Sequence, residues 1–183
     1  MPASASVLLD ARAVARTLKR MAEQIVELND GTDGLVLVGI QRRGVQLADR
    51  IAAHIAASES ATVPRGELDI TLYRDDLQAV GSLPVVGRTK LPLQLDGKCV
   101  VIVDDVLFTG RTVRAALDEL TDFGRPARIA LAVLIDRGGR ELPIHADVVG
   151  KSIDLARGGR VAVAVTEIDG HDGVTVTQPG ASA

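Results

Sequence analysis

Residues 100–103 read Val-Val-Ile-Val, and the two that follow are Asp104 and Asp105. A run of four apolar, largely β-branched residues has no polar face to offer water, so it fits a strand covered on both sides, in the middle of a parallel sheet. Other short apolar runs supply its neighbours: Leu35–Val38, bounded by Gly34 and Gly39, and Ile129–Ile135, ended by Asp136-Arg137-Gly138-Gly139. Residues 68–73 alternate apolar and polar, the pattern of a half-exposed strand, and 146–150 and 161–168 supply two further short strands. Between the runs lie helical stripes. Val14, Leu18, Met21, Ile25 and Leu28 mark a helix over 10–28, for which Asp10 is a plausible N-cap. Residues 45–57 and about 112–122 give two more. Strands alternating with helices predict an α/β fold with a mostly parallel central sheet flanked by helices.

Composition sets limits on that fold. At 183 residues the prior is one domain, and folding can bury about 70% of the extended chain's surface. The single Cys99 leaves no internal disulfide framework and no Cys-rich zinc module, which fits a reducing cytoplasm. His54, His145 and His171 show no metal-ligand spacing, and the net charge of −3 is wrong for a constitutive nucleic-acid coat protein. No apolar run of 18 residues suggests a membrane span, and residues 1–6 do not resemble a secretory signal. Residues 74–95 carry Gly81, Pro84, Gly87 and Pro92, and a connection this long in a compact domain is usually functional or mobile. Residues 178–183 read as a frayed tail.

The chemistry centres on VVIVDDVLFTGRT, residues 100–112. Ligands of open α/β sheets bind beyond the carboxyl ends of the strands, and two adjacent carboxylates repel one another there without benefit to the fold. Phe108-Thr109-Gly110-Arg111-Thr112 then forms a small, hydroxyl-bearing turn into a helix, whose free N–H groups suit a phosphate. Vicinal hydroxyls at the carboxylates and a phosphate one sugar away describe a ribose 5-phosphate. The competing reading is a bare Mg²⁺ site, as in receiver domains or the second carboxylate motif of P-loop ATPases. The ATPase version fails because Gly81–Thr89 has the wrong glycine spacing and Arg88 in place of lysine.

These thirteen residues resemble the signature of type I phosphoribosyltransferases, which bind 5-phosphoribosyl 1-diphosphate (PRPP). Residues 39–44 (GIQRRG), 69–76 (DITLYRDD) and 136–143 (DRGGRELP) resemble one subfamily: pyrimidine operon attenuation regulators with uracil phosphoribosyltransferase activity. The resemblance implies a phosphoribosyltransferase fold with a flexible loop over about 74–95 and a small base-binding hood, in one domain spanning 1–183. It implies transfer of the phosphoribosyl group of PRPP to N1 of uracil, giving UMP and diphosphate through an oxocarbenium-like state that needs no covalent nucleophile. Asp104 and Asp105 would serve the ribose hydroxyls and the developing cation, directly or through Mg²⁺ and water. Residues Val106, Leu107, Phe108, Thr109, Gly110, Arg111 and Thr112 would hold the 5-phosphate. Gln41, Arg42 and Arg43 form the implied diphosphate loop, with Arg74 a further contact and Arg43 also catalytic. Arg137 and the region of Val161 would recognise the base, and Mg²⁺ would be bound mainly through the diphosphate.

Regulation implies further partners: UMP or UTP in the same pocket, and leader mRNA of the pyrimidine operon on a basic face of a homodimer or higher oligomer in the cytoplasm. Arg16, Lys19 and Arg20 on the first helix, with Arg140 and Lys151, are the candidate RNA contacts. The chain departs from the family pattern here. Lys19 and Glu23 stand where threonine and histidine are usual, and His145 where arginine is usual. A solvated helix face is the other reading of the same residues. Either half of the function can stand alone, as a transferase without regulation or as a regulator with a vestigial enzyme site. With Tyr73 and Phe108 already in site segments, RNA binding by stacking on aromatic platforms is not expected.

Overall fold

The computed structural model describes residues 5–70, 89–92, 94–156 and 158–178. Five strands form a wholly parallel sheet: β2 (Leu35–Ile40), β3 (Arg65–Leu68), β4 (Cys99–Leu107), β5 (Arg128–Asp136) and β6 (Val148–Ser152), in the order β3-β2-β4-β5-β6. The pleat sorts their side chains into two cores. Leu35, Leu37, Val101, Val103, Ala130, Ala132 and Leu134 meet α1 (Ala11–Leu28) and α2 (Arg43–Glu59). Val36, Val38, Val100, Ile102, Leu131 and Val133 point the other way, toward Val113, Ala116 and Leu120 of α3 (Arg111–Asp122). The apolar runs are continuous because both faces of the sheet are covered. Helix α1 starts where Asp10 accepts the Ala13 N–H at 2.7 Å, the N-cap geometry expected from the sequence.

A second sheet has three antiparallel strands, β1 (Ala5–Leu9), β8 (Gly173–Thr177) and β7 (Arg160–Ala164), in the order β1-β8-β7. Leu9, Val163, Val165 and Val174 join the same core as α1.

Two expectations need correction. Of the strand expected over 68–73, Leu68 ends β3 (Arg65–Leu68), whose register is set by backbone pairing with Leu37–Ile40; Asp69 and Ile70 fall beyond it, and 71–73 lie outside the described residues. The strand expected over 161–168 stops at Ala164, and Thr166–Asp169 forms a one-turn helix, α4. Strands β1 and β8 were not foreseen. Tyr73, Arg74, most of the 74–95 loop and residues 179–183 lie outside the described residues.

Candidate active site

The chain runs from β2 to β3 on one side and from β4 through β5 to β6 on the other, so the sheet order switches between β2 and β4. The crevice beyond two such strands is where open α/β sheets place ligands. At the end of β2 the chain enters Gln41-Arg42 and turns into α2 within two residues. Gly39 and Gly44 make this possible. A Cβ on Gly39 would sit 2.5 Å from the Gly44 carbonyl, and one on Gly44 would sit 2.4 Å from the Val103 carbonyl. Helix α2 therefore begins against the backbone of β4, bringing Arg43 toward the carboxylates.

On β4, Asp104 is buried and Asp105 half-buried. Asp105 N–H donates to Asp104 Oδ1 at 2.9 Å, and Val106 N–H donates to Asp105 Oδ1 at 2.8 Å. Burial, then the adjacent negative charge of Asp105, holds the Asp104 carboxyl well above the usual range. Burial raises Asp105 as well, opposed by the Val106 N–H and by the positive charge of Arg43. This acidic pair has no arginine bound to it among the described residues.

The following turn ends at Gly110, whose φ of +94° is open to glycine and costly for other residues. Gly110 caps α3 without a side-chain acceptor; Thr109 Oγ1 accepts the Arg111 N–H at 3.3 Å, and the next first-turn amides, of Thr112 and Val113, are left for a ligand. Segment 137–144 is fastened over this turn. Glu141 and Leu142 N–H donate to the Thr109 carbonyl at 3.0 and 3.1 Å, and Arg137 N–H to the Leu107 carbonyl at 3.1 Å. The Arg137 guanidinium lies 3.9 Å from the centroid of the Phe108 ring.

A cavity of about 290 Å³ collects Gln41, Arg42, Arg43, Asp104, Asp105, Val106 and Thr112 from the sequence-derived set. It adds Asp69, which sequence reasoning missed because the alternating pattern put this buried residue on the solvent side. The other predicted residues, Leu107, Phe108, Thr109, Gly110, Arg111, Arg137 and Val161, do not line this cavity. Leu107 is part of the core, Phe108 is exposed, and Arg111 pairs with Glu141 at 2.9 Å. Thr109 and Gly110 contribute to the turn, and Val161 is half-buried in β7.

This architecture agrees with what the chain resembles. Residues 4–168 match the phosphoribosyl transferase domain family. The Bifunctional protein PyrR of Thermus aquaticus is 58% identical over 167 residues, covering 91% of this chain and 92% of that one. The Chloroflexus aurantiacus protein of the same name is 57% identical over 175 residues, covering 96% of each.

The chain belongs to the PyrR family of phosphoribosyltransferases.

At the level of fold it also matches solved hypoxanthine phosphoribosyltransferases. The Trypanosoma cruzi structure gives a TM-score of 0.73 at 21% identity, covering 99% of this chain and 98% of that one. The Staphylococcus aureus structure gives 0.67 at 20% identity, covering 96% and 93%.

In this PyrR family member, Arg16, Lys19 and Lys151 are exposed, and Arg20 donates to the Val149 carbonyl at 3.4 Å and to that of Gly150, fastening α1 to β6. Arg140 departs from its expected place on a free basic face. It donates to the carbonyls of Phe108 and Ile144, each at 2.9 Å, and pairs with Asp136 at 2.5 Å. Its side chain is 18% exposed, so its donors are spent on the 136–144 loop. Glu23 and His145 are exposed.

Among the described residues no group of three or more His, Cys, Asp or Glu could hold a metal ion. Two adjacent carboxylates in a polar cavity fit Mg²⁺ in a different way, through one or two protein oxygens while substrate phosphates and water complete the shell.

Proposed function

We propose that the chain transfers the 5-phosphoribosyl group of PRPP to N1 of uracil, giving UMP and diphosphate, and controls pyrimidine gene expression by uridine-nucleotide-dependent binding to leader mRNA. The observation that carries the enzymatic reading is the meeting of an adjacent acidic pair, Asp104 buried and Asp105 half-buried, and an arginine-bearing loop in one cavity at the sheet's switch point. The PyrR relatives support both halves.

This reading calls for positioned groups rather than a covalent nucleophile. First-turn amides of α3 and the hydroxyls of Thr109 and Thr112 receive the 5-phosphate. Asp104 and Asp105 accept from the ribose hydroxyls and supply negative charge beside the anomeric carbon as it becomes cationic. Gln41, Arg42 and Arg43 face the diphosphate, whose oxygen leaves with the bonding electron pair as N1 of uracil attacks and gives up its proton to solvent. Phosphoribosyltransferases use Mg²⁺ with PRPP. Asp104 and Asp105 would hold that ion directly or through water, and it would neutralise the leaving diphosphate. Arg137, held over Phe108, and the start of β7 near Val161 face the base. The N–H groups of Arg137, Glu141 and Leu142, donating to the turn carbonyls of Leu107 and Thr109, support a reading in which base recognition and phosphate binding are coupled.

We read the chain as one domain over 1–183, since residues of both sheets share a core, and as a homodimer or higher oligomer acting in the cytoplasm. UMP formation from uracil, PRPP and Mg²⁺ is the direct test, and absence of turnover rejects the transferase. For the regulator, filter binding to leader RNA should be salt-sensitive and strengthened by UMP, and indifference to UMP rejects control through this cavity. The internal bonds of Arg140 and the charge of Glu23 favour a second reading, a transferase without RNA control.

A further inference from the structure

Two arginines, seven residues apart on α2, hold the short helix of the small sheet. Arg50 binds Glu167 at 2.9 and 2.6 Å and Asp172 at 2.8 Å through each oxygen. Arg43 binds Asp169 side-on, Nε to Oδ2 at 3.1 Å and Nη2 to Oδ1 at 2.8 Å. The two clamps look alike and differ in one respect: Arg43 lines the 290 Å³ cavity, and Arg50 does not.

The carboxylate that meets Arg43 is itself fixed. Asp169 Oδ2 accepts the Val165 N–H at 2.8 Å, across the single turn of α4. Asp169 does not line the cavity, so its route to the site runs through the arginine. A guanidinium presents five N–H donors in a rigid plane. The side-on pair engages Nε and Nη2 and leaves the Nη1 edge for a second anion. Arg43 is close enough to Asp105 for each to feel the other's charge, which places that plane beside the acidic pair.

We propose that Asp169 is a positioning residue for the diphosphate end of PRPP: it fixes the Arg43 guanidinium through Nε and Nη2, leaving the Nη1 edge to bind the leaving group. This rests on the phosphoribosyl-transfer reading and adds to it a residue 126 positions away from the arginine it orients. It also makes the small sheet part of the leaving-group site as well as a cover for the base.

The Arg50 clamp supplies the control, because it joins the same elements without reaching the cavity. PRPP affinity, measured by calorimetry with Mg²⁺, and UMP affinity should be compared in the parent protein, Asp169→Asn, Asp172→Asn, Arg43→Ala and the Arg43→Ala/Asp169→Asn double variant. Asp169→Asn should weaken PRPP about tenfold, a loss of about 1.4 kcal/mol, and leave UMP, which lacks diphosphate, within about twofold. Unchanged UMP affinity also reports an intact fold. Asp169→Glu should recover most of the PRPP affinity. In the Arg43→Ala background, Asp169→Asn should add nothing, and Asp172→Asn should leave PRPP affinity unchanged.

Equal effects of Asp169→Asn and Asp172→Asn on PRPP would reduce Asp169 to a tether and overturn the proposal. A full Asp169→Asn effect surviving in the Arg43→Ala background would overturn it too, since the carboxylate would then act on metal or substrate directly. If Arg43→Ala itself leaves PRPP affinity unchanged, the diphosphate role of Arg43 fails, and this inference with it. Failure of the parent to make UMP would count against uracil transfer alone, because the binding measurements do not depend on turnover.

Discussion

The molecule contains two groups of carboxylates that are chemically the same and treated in opposite ways. At the end of β4, Asp104 and Asp105 are adjacent and desolvated, and their carboxyls are pushed up. At α4 and the turn after it, Glu167, Asp169 and Asp172 each meet an arginine of α2, and their carboxyls are pulled down, Asp172 to about 2. The second group is matched within the fold and contributes to its stability. The first is left uncompensated, which has no structural benefit and suits a ligand that brings hydroxyls and a metal ion. Mismatch of charge therefore marks the site better than charge itself.

The contrast can be broken most sharply at Asp104. Asp104→Asn should lower kcat for UMP formation about 10²-fold, the scale of losing one preorganised electrostatic group, while the thermal midpoint holds or rises. A fall in both would put Asp104 among the matched, structural carboxylates. The next largest effect is expected at the opposite group. Arg50→Ala leaves two carboxylates without their partner and should cost about 1–3 kcal/mol in denaturant unfolding, with PRPP affinity little changed.

Their pH dependence should have opposite signs. Asp172 has a folded-state value below its unfolded one, so its contribution is present above about pH 4 and is lost as pH falls toward 2. Discounted for solvent screening, that is about 1 kcal/mol, and Asp172→Asn should flatten the acid limb of the stability curve by that amount. Asp104 has a raised folded-state value, so the folded form holds its proton more tightly and stability drops as pH rises from the unfolded value toward the folded one. Asp104→Asn should remove that decline. The smallest effect belongs to the Arg65–Asp49 pair, whose side chains are 48% and 51% exposed. Asp49→Asn should change stability by less than about 0.5 kcal/mol, because water screens both partners. A larger loss would mean that matching matters without burial.

How far these features could be read in advance depended on sequence separation. Strands β2, β4 and β5 announce themselves, since burial on both faces demands unbroken apolar runs such as Val100–Val103. The acidic pair and the turn at Gly110 sit within a few residues of such a run and were readable with it. Strand β3 was missed over 65–67 because Gly66 and Glu67 carry no apolar alternation, and its register comes from pairing with β2. Asp69 was hidden by the same alternating stretch, which assigned it to solvent although it is buried. The Arg43–Asp169 pair joins positions 126 apart, and no local pattern contains it. Arg140 was misplaced because charge alone does not reveal that the carbonyls of Phe108 and Ile144 will claim its donors.

Among the described residues strand β1 pairs only with β8, and Ser6 Oγ reaches the Val176 carbonyl across 170 positions. During synthesis, β1 is therefore made well before its partner and must wait for it, whereas β2 and β4 can close the parallel core over much shorter loops. The order of events follows from the topology. The cavity's floor can form while the chain is still growing, but α4, lying between β7 and β8, is framed by both strands only at the end. With it comes Asp169, whose carboxylate binds Arg43, so this side of the cavity gains its long-range support only once the last strand is in place.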